Sequence, residues 1–207
     1  MRAGRDAGRE PAVEALFYYD VGSPYAYLAA ERVDDALPHE PEWLPVLLGG
    51  VFKATGRSSW ALSSARQAGV AEIERRAAER GLPPLRWPEP WPGDGLLAMR
   101  VAVVSHRAGR GRQFAREALR VHFRDGRPLG EPKAIACALE RAGLDPESTL
   151  EQAQDQLVKQ ELRERTARAI ALGVSGVPSL IVDGNVFWGD DRLADAARAM
   201  LAGEGKP

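Results

Sequence analysis

The chain has 207 residues and a formal net charge of −1, with 44% hydrophobic and 28% charged residues, a composition typical of ordinary soluble globular proteins. The near-zero charge gives no support to binding of nucleic acid or of an anionic membrane surface, and no run of residues is long and apolar enough to span a bilayer. The length suits one hydrophobic core, or a domain that carries an inserted subdomain.

The first residues, 1–12, are polar and rich in Arg and Gly. They contain no apolar core of a signal peptide. We therefore expect a disordered leader and a cytoplasmic protein.

The next stretch predicts a strand, a tight turn and a helix. Ala15 to Asp20 is the strand and Tyr25 to Leu37 the helix. Ser23 suits the N-cap because its oxygen can accept an orphan backbone N–H, and Pro24 suits the first helical position because it has no N–H to lose. A group held at this turn lies where backbone N–H groups and the helix dipole favour negative charge. Taken alone, Ser-Pro is also the ordinary start of a helix.

A second strand is predicted at residues 42–48, with Pro45 indicating an edge position or a bulge. It completes a βαβ unit, and Gly49-Gly50 is expected to turn the chain into an insertion. Apolar residues spaced by three and four predict helices within that insertion. The insertion contains helices at 65–80, 96–106, 113–123 and 132–142, a Pro- and Trp-rich loop at 82–93, a turn at 145–148, and a helical stretch from 149 to 172 that leads out.

Val177-Pro178 precedes an apolar strand at 179–182, which ends in the turn signal Asp183-Gly184-Asn185. Pro can begin a strand but cannot lie within a central one. A helix, a Gly-rich loop, Val-Pro, a strand and a hairpin form the second half of a thioredoxin-type domain, in which the Val-Pro bond is expected to be cis. The last helix is predicted to open at Trp188 and to run to Leu201.

The only cysteine, Cys137, lies in an apolar helical pattern far from Ser23, as is typical of a small core residue. Dithiol exchange needs two neighbouring thiols, and Ser23-Pro24-Tyr25-Ala26 stands where a redox-active thioredoxin fold has Cys-x-x-Cys. The three histidines are isolated in the sequence, so no metal site is predicted.

Three blocks in this order resemble the 2-hydroxychromene-2-carboxylate isomerase family, which is close to the kappa-class glutathione transferases. Both belong to the DsbA-like branch of the thioredoxin superfamily. The blocks are Asp20 with Ser23 to Ala29, Leu47 to Gly56, and Gly173 to Leu180 followed by Val186 to Leu193. The resemblance implies an α/β thioredoxin-like fold with an inserted all-helical subdomain. The thioredoxin-like domain would comprise residues 13–52 and 156–203, and the insertion residues 53–155.

The resemblance also implies that Ser23 meets the sulfur of glutathione. A free thiol has a pKa of about 8.5, which falls at helix N-termini and near hydrogen-bond donors. The Ser23 hydroxyl and the helix N–H groups both donate to a thiolate and so favour its ionised form. Val177 would hold the cysteinyl part of glutathione through its backbone N–H and C=O, which a cis bond to Pro178 is expected to leave free.

Four residues at the start of the last helix complete the expected cofactor site: Trp188, Gly189, Asp190 and Asp191. Asp190 or Asp191 would bind the α-ammonium group of the γ-glutamyl unit, with helix N–H groups on its carboxylate. An Asp at a helix start is also the routine cap.

Three residues are candidates for the substrate. Lys53 is expected to meet the carboxylate of an anionic substrate or of glutathione, and Phe52 to form an apolar wall beside it. Trp91, together with Trp87, is placed to line a pocket for an aromatic substrate or to serve as packing alone. The usual Tyr and Asn contacts of the family have no clear match between residues 58 and 92, so the substrate stays open.

The resemblance implies a glutathione-dependent cis–trans isomerase that acts on an aromatic enol-pyruvate compound in ring catabolism. In such an enzyme the thiolate held by Ser23 would add to a conjugated carbon of the substrate. This covalent catalysis replaces one high rotation barrier by two lower ones. The alternatives are a kappa-like glutathione transferase or peroxidase and a non-catalytic thiol-ligand binding protein. Another low-molecular-weight thiol is an alternative cofactor, and a homodimer is a possible assembly.

Overall fold

The computed structural model describes residues 15–204, which fold into one four-stranded sheet and ten α-helices. The expected leader at 1–12 lies outside the described residues. No helix in the described range has the length and apolar character needed to cross a membrane. In chain order the elements are β1 (Ala15–Tyr19), α1 (Pro24–Ala30), α2 (Val33–Ala36), β2 (Glu42–Pro45), α3 (Leu48–Thr55), α4 (Arg66–Glu79), α5 (Leu96–Arg107), α6 (Gly111–Phe123), α7 (Pro132–Arg141), α8 (Pro146–Gln152), α9 (Gln156–Ala171), β3 (Ser179–Val182), β4 (Asn185–Trp188) and α10 (Leu193–Glu204).

The strand order of the sheet is β2-β1-β3-β4. β1 runs parallel to β2 and antiparallel to β3, and β3 is antiparallel to β4. β1 and β3 are the central strands, and every residue of β3 is buried, as expected for a strand covered on both faces. β2 is an edge strand, which explains how it accommodates Pro45. The carboxyl ends of β1, β2 and β4 therefore lie beside the beginning of β3, and we call this the sheet edge.

The first predicted helix is divided in two. α1 ends at Ala30, and Arg32 has a non-helical backbone (φ −129°, ψ −19°) before α2 begins at Val33. The break turns the short α2 so that Val33 and Leu37 reach the core, where both are buried. The single helix predicted from 25 to 37 was wrong in this respect, since burial of these two side chains outweighs helical continuity.

Gly49 and Gly50 do not form the predicted turn but lie within α3. A Cβ at Gly50 would come within 3.2 Å of Thr166 in α9, so glycine allows the two helices to pack closely. Thr166 also accepts a hydrogen bond from the backbone N of Leu47 at 3.0 Å. The expected domain boundary between residues 52 and 53 falls inside this uninterrupted helix.

The predicted helices at 65–80, 96–106, 113–123 and 132–142 correspond to α4 to α7, with bounds that differ by at most two residues. The predicted turn at 145–148 is instead the start of α8, with Asp145 as N-cap and Pro146 at the first position. The long helix predicted from 149 is interrupted after Gln152, and Asp155 caps α9. Cys137 is only partly buried and packs against the core.

The C-terminal hairpin turns at Asp183 (φ 49°) and Gly184 (φ 74°), the two left-handed positions that a tight hairpin turn requires. Trp188 ends β4, and α10 begins only at Leu193. The prediction that the last helix opens at Trp188 was therefore wrong. Pairing of Trp188 with Ser179 extends the ladder to the sheet edge.

Candidate functional site

A cavity of about 1520 Å³ lies at the sheet edge and extends between the sheet and the helices of the insertion. The sheet topology explains why distant sequence blocks meet there, because three strands end and one begins at this edge. Of the ten residues predicted for the site, Pro178 alone does not line the cavity. The lining ones are Ser23, Phe52, Lys53, Trp91, Val177, Trp188, Gly189, Asp190 and Asp191.

Ser23 caps α1 as predicted, and Pro24 occupies the first turn. The Ser23 Oγ accepts a hydrogen bond from Ala26 N at 3.2 Å and donates to the Val177 carbonyl oxygen at 3.4 Å. The residue is only 3% exposed, yet it lines the cavity. Because 3.4 Å is near the long limit for a hydrogen bond, the hydroxyl proton is weakly held and can turn towards a ligand.

Val177 lies beside Ser23, and its peptide bond to Pro178 is cis. Its carbonyl is not free, contrary to the sequence prediction, because it accepts the Ser23 hydroxyl. Its N–H donates to no group among the described residues. Pro178 supports the site indirectly, because its carbonyl oxygen accepts a hydrogen bond from the backbone N–H of the lining residue Gly189 at 3.0 Å. One backbone donor is therefore available beside Ser23.

Asp20 holds the turn that presents Ser23. Its carboxylate accepts Gly22 N at 2.8 Å and Leu48 N at 2.8 Å, so it caps α3 from a distance as well as closing the turn. Burial raises the pKa of Asp20, and the two backbone hydrogen bonds oppose this only in part. The sequence placed Asp20 in a matched block without a role, and the structure shows that it joins the turn to the helix of Phe52 and Lys53.

Two exposed cations line the cavity, and we call them its cationic mouth. Lys53 is exposed and lines the cavity, and Arg57, just beyond the end of α3, is exposed and lines it too. The Arg57 guanidinium lies over the ring of Trp188 at 4.5 Å from the centroid, rather than against a carboxylate of the described residues. Trp188 is 45% exposed. Sequence reasoning missed Arg57, which lies just after the left-handed cap Gly56 of α3.

Asp190 and Asp191 have different environments. Asp190 is buried, and its Oδ1 accepts from Arg76 Nη1 at 2.9 Å while Oδ2 forms an ion pair with Arg80. Both arginines belong to the α4 region, so this cluster joins the insertion to the segment after β4. Asp191 is exposed and lines the cavity. Of the two candidates for an ammonium group, Asp191 is the one whose carboxylate is accessible.

An aromatic wall faces the sheet edge. Trp91 is 5% exposed and lines the cavity, and its Nε1 donates to the Gly22 carbonyl at 3.3 Å. Trp87 packs behind it, with ring centroids 4.6 Å apart, and does not line the cavity. Trp60 lies on its other side at 5.4 Å and was missed by sequence reasoning. We call the cavity-lining residues from 60 to 131 the helical wall.

The family model for a DSBA-like thioredoxin domain matches residues 15–201. The chain therefore belongs to the DsbA-like thioredoxin family, and the predicted fold class is confirmed.

Two relatives match over nearly their full lengths. A 2-hydroxychromene-2-carboxylate isomerase of Sphingobium xenophagum is 28% identical, covering 86% of this chain and 92% of the relative. Glutathione S-transferase kappa 1 of Rattus norvegicus is 29% identical, covering 95% and 93%. The resemblance to these two groups, inferred from the three sequence blocks, is confirmed.

Solved structures agree on the fold. A 2-hydroxychromene-2-carboxylate isomerase aligns with a TM-score of 0.76 and 21% identity, covering 91% of this chain and 94% of the other. A probable DsbA oxidoreductase from Streptomyces coelicolor aligns with a TM-score of 0.74 and 21% identity, covering 94% and 92%.

Proposed function

We propose that this protein is a thiol-dependent cis–trans isomerase for an aromatic enol-pyruvate compound in aromatic-ring catabolism. The cofactor would be glutathione or another low-molecular-weight thiol. The observation that carries the proposal is the meeting of three features in one cavity: Ser23 at a helix N-terminus, an aromatic wall at Trp91, and a cationic mouth at Lys53 and Arg57. The relative named as an isomerase supports the reaction class.

The described residues fit a peptide-like thiol. The Ser23 hydroxyl would donate to the sulfur, and the unpartnered Val177 N–H would bind the carbonyl of the cysteinyl part. Asp191, accessible at the cavity, would take the α-ammonium group, with Trp188 and Gly189 beside it. Asp190 would act indirectly, because its carboxylate is held by Arg76 and Arg80.

When bound, a thiol of this class supplies a nucleophile that adds reversibly to a conjugated carbon, so that a former double bond can rotate. Ser23 and the N-terminus of α1 would keep the sulfur ionised. Lys53 and Arg57 would bind the substrate carboxylate and stabilise negative charge that develops next to it. Phe52 and Trp91 would exclude water from the aromatic part.

A second candidate is a kappa-like glutathione transferase or peroxidase, which the 29% identical kappa relative supports. The two candidates use the same thiolate and differ in stoichiometry. An isomerase regenerates its thiol in every turnover, whereas a transferase consumes one per product. The third candidate, a protein that only binds a thiol ligand, predicts no effect of Ser23→Ala on the rate with any electrophile.

Titration of the purified protein with glutathione at mildly acidic pH, followed by thiolate absorbance in the ultraviolet, tests the proposal. We expect a saturable signal that Ser23→Ala abolishes. Because that variant also removes a helix cap, which costs about 1 kcal/mol, Asp145→Ala serves as the matched control. Asp145 caps α8 through Ser148 N at 2.8 Å and does not line the cavity, so its variant should keep the full signal.

Absence of a signal with glutathione and with other low-molecular-weight thiols would contradict the proposal. Loss of the signal in both cap variants would mean that stability, and not the Ser23 hydroxyl, is being measured.

We further propose a cytoplasmic location, where such thiols are available, and a homodimer, which light scattering on the purified protein would test.

A further inference from the structure

The cavity wall contains one buried titratable side chain that neither the thiol site nor the cationic mouth uses. His122, near the end of α6, is 4% exposed and lines the cavity. Its ring packs edge-on against Phe123 at 4.6 Å between centroids. Phe123 in turn contacts Trp91 at 6.5 Å. His122 thus packs against the aromatic wall through Phe123, and its ring adds two polar nitrogen atoms to it.

The hydrogen bonds of His122 define its tautomer. Nδ1 lies 3.0 Å from the Arg127 carbonyl oxygen. A carbonyl oxygen can only accept, so Nδ1 must carry the proton. Burial lowers the pKa of His122 to about 4, and a neutral imidazole with a protonated Nδ1 has a lone pair on Nε2.

The Nε2 atom is accessible to a ligand. It has no hydrogen-bond partner among the described residues, and it is not one of the fully enclosed polar atoms that lack a partner. Because His122 lines the cavity and Nδ1 is turned to the Arg127 carbonyl, Nε2 is the ring nitrogen left for a ligand. Nε2 is therefore a fixed hydrogen-bond acceptor in the wall.

Apolar side chains from the loop after Trp91, from α5 and from the loop before α7 line the same cavity, and the carboxylates of Asp94 and Glu131 lie among the lining residues of these loops. The apolar lining residues of this region are Pro90, Pro92, Leu96, Met99, Pro128 and Leu129. Nε2 favours a ligand that brings a matching donor, because a polar group left unpaired against an apolar ligand costs binding energy.

We propose that His122 is a specificity-determining residue that accepts a hydrogen bond from a hydroxyl group on the aromatic ring of the substrate. The proposal rests on the aromatic-substrate part of the proposed function and assigns one residue of the cavity wall to it. A site built to bind a hydroxyl rejects the analogue that lacks it. Ser23 and Val177, the proposed contacts of the thiol, take no part in this recognition, so the role of His122 can be tested without a thiol.

Calorimetric titration of the full chain without thiol tests the proposal. The ligands are cinnamate and the three hydroxycinnamates, with the ring hydroxyl ortho, meta or para to the side chain. We expect at least one hydroxycinnamate to bind about tenfold more tightly than cinnamate, the gain typical of one good hydrogen bond. The methyl ether of that compound, which cannot donate, should lose the gain.

Two variants of His122 make the test specific. His122→Phe should reduce the affinity ratio between that hydroxycinnamate and cinnamate to about one, and His122→Gln, whose amide oxygen can accept, should restore part of it. In the wild-type protein the ¹⁵N resonance of His122 Nε2 should shift with the hydroxycinnamate and not with cinnamate, which a purely structural role would not produce. The methyl ether comparison and the resonance need no variant, so they decide the matter even if a variant fails to fold.

Equal affinity of all four acids, or an unchanged ratio in His122→Phe, would overturn the role of His122 and leave the thiol proposal standing. Binding of none of them would overturn both the role of His122 and the aromatic-acid part of the proposed function. A thiolate signal that fails while the hydroxyl preference holds would overturn the thiol proposal alone.

Discussion

The sheet edge and the helical wall contribute to the same cavity in different ways. At the sheet edge, Ser23 and Val177 sit in short turns that the ends of four strands bring together. In the helical wall, Trp60, Trp91 and His122 come from separate parts of the insertion and meet only through packing. The thiol part of the site is thus built mainly by local backbone, and the aromatic part by tertiary contacts. The following four predictions test this difference.

The ion cluster of Asp190 with Arg76 and Arg80 connects the two regions directly. We expect Asp190→Asn to lower the free energy of unfolding by about 2–3 kcal/mol, because it removes the only carboxylate paired with the partly buried Arg80 among the described residues, whereas Arg76 keeps its ion pair with Glu72. Urea unfolding measures this. Asp195, whose ion pairs with Arg192 and Arg198 are on the surface, provides the control. Asp195→Asn should cost less than about 1 kcal/mol, and equal effects would contradict the connecting role.

The second prediction concerns the pH dependence of the helical wall. The folded pKa of His122 is about 4 and its ordinary value 6.5, so the unfolded chain binds its proton first as the pH falls. His122 therefore costs stability progressively below pH 6.5 and down to about pH 4, by about 3 kcal/mol in total. His122→Gln should flatten this part of the curve. Thermal unfolding against pH checks it, and a curve for His122→Gln parallel to that of the wild type would refute it.

The third prediction compares two helical glycines. A Cβ on Gly69 in α4 would lie 2.2 Å from the Trp60 ring, whereas one on Gly49 in α3 would meet nothing within 4 Å. Gly69→Ala should cost about 1–2 kcal/mol, because Trp60 must move against its neighbours. Gly49→Ala should gain about 0.5–1 kcal/mol from helix propensity. Denaturant unfolding measures both, and near-ultraviolet circular dichroism should change only for the first.

The smallest effect is expected at the exposed mouth. Lys53→Met and Arg57→Gln should each weaken cinnamate binding about threefold at low ionic strength, as is typical of exposed charge pairs, and less in high salt. Lys159→Met, in α9 and outside the cavity lining, should change nothing. Equal weakening by all three variants would show that overall charge, and not the mouth, attracts the acid.

The sheet edge could be predicted from the sequence because its features are local. Ser23-Pro24 and Val177-Pro178 restrict the backbone by themselves, so their turns were found, and the strand at 179–182 was found with its bounds. The helical wall could not be predicted in the same way. Trp60 and His122 carry no local signal, since their positions depend on close packing at Gly69 and on a hydrogen bond to Arg127. Asp190 looked like a helix cap because the arginines that hold it lie more than a hundred residues away in sequence.

The stack of Arg57 on Trp188 also has an optical consequence. Trp43 and Trp91 are almost fully buried, whereas Trp188 is 45% exposed and lies under a guanidinium at the entrance to the cavity. An acid that draws Arg57 away would change the surroundings of this exposed indole much more than those of the buried ones. The long-wavelength part of the intrinsic fluorescence would then report each arrival of a ligand, without any added label.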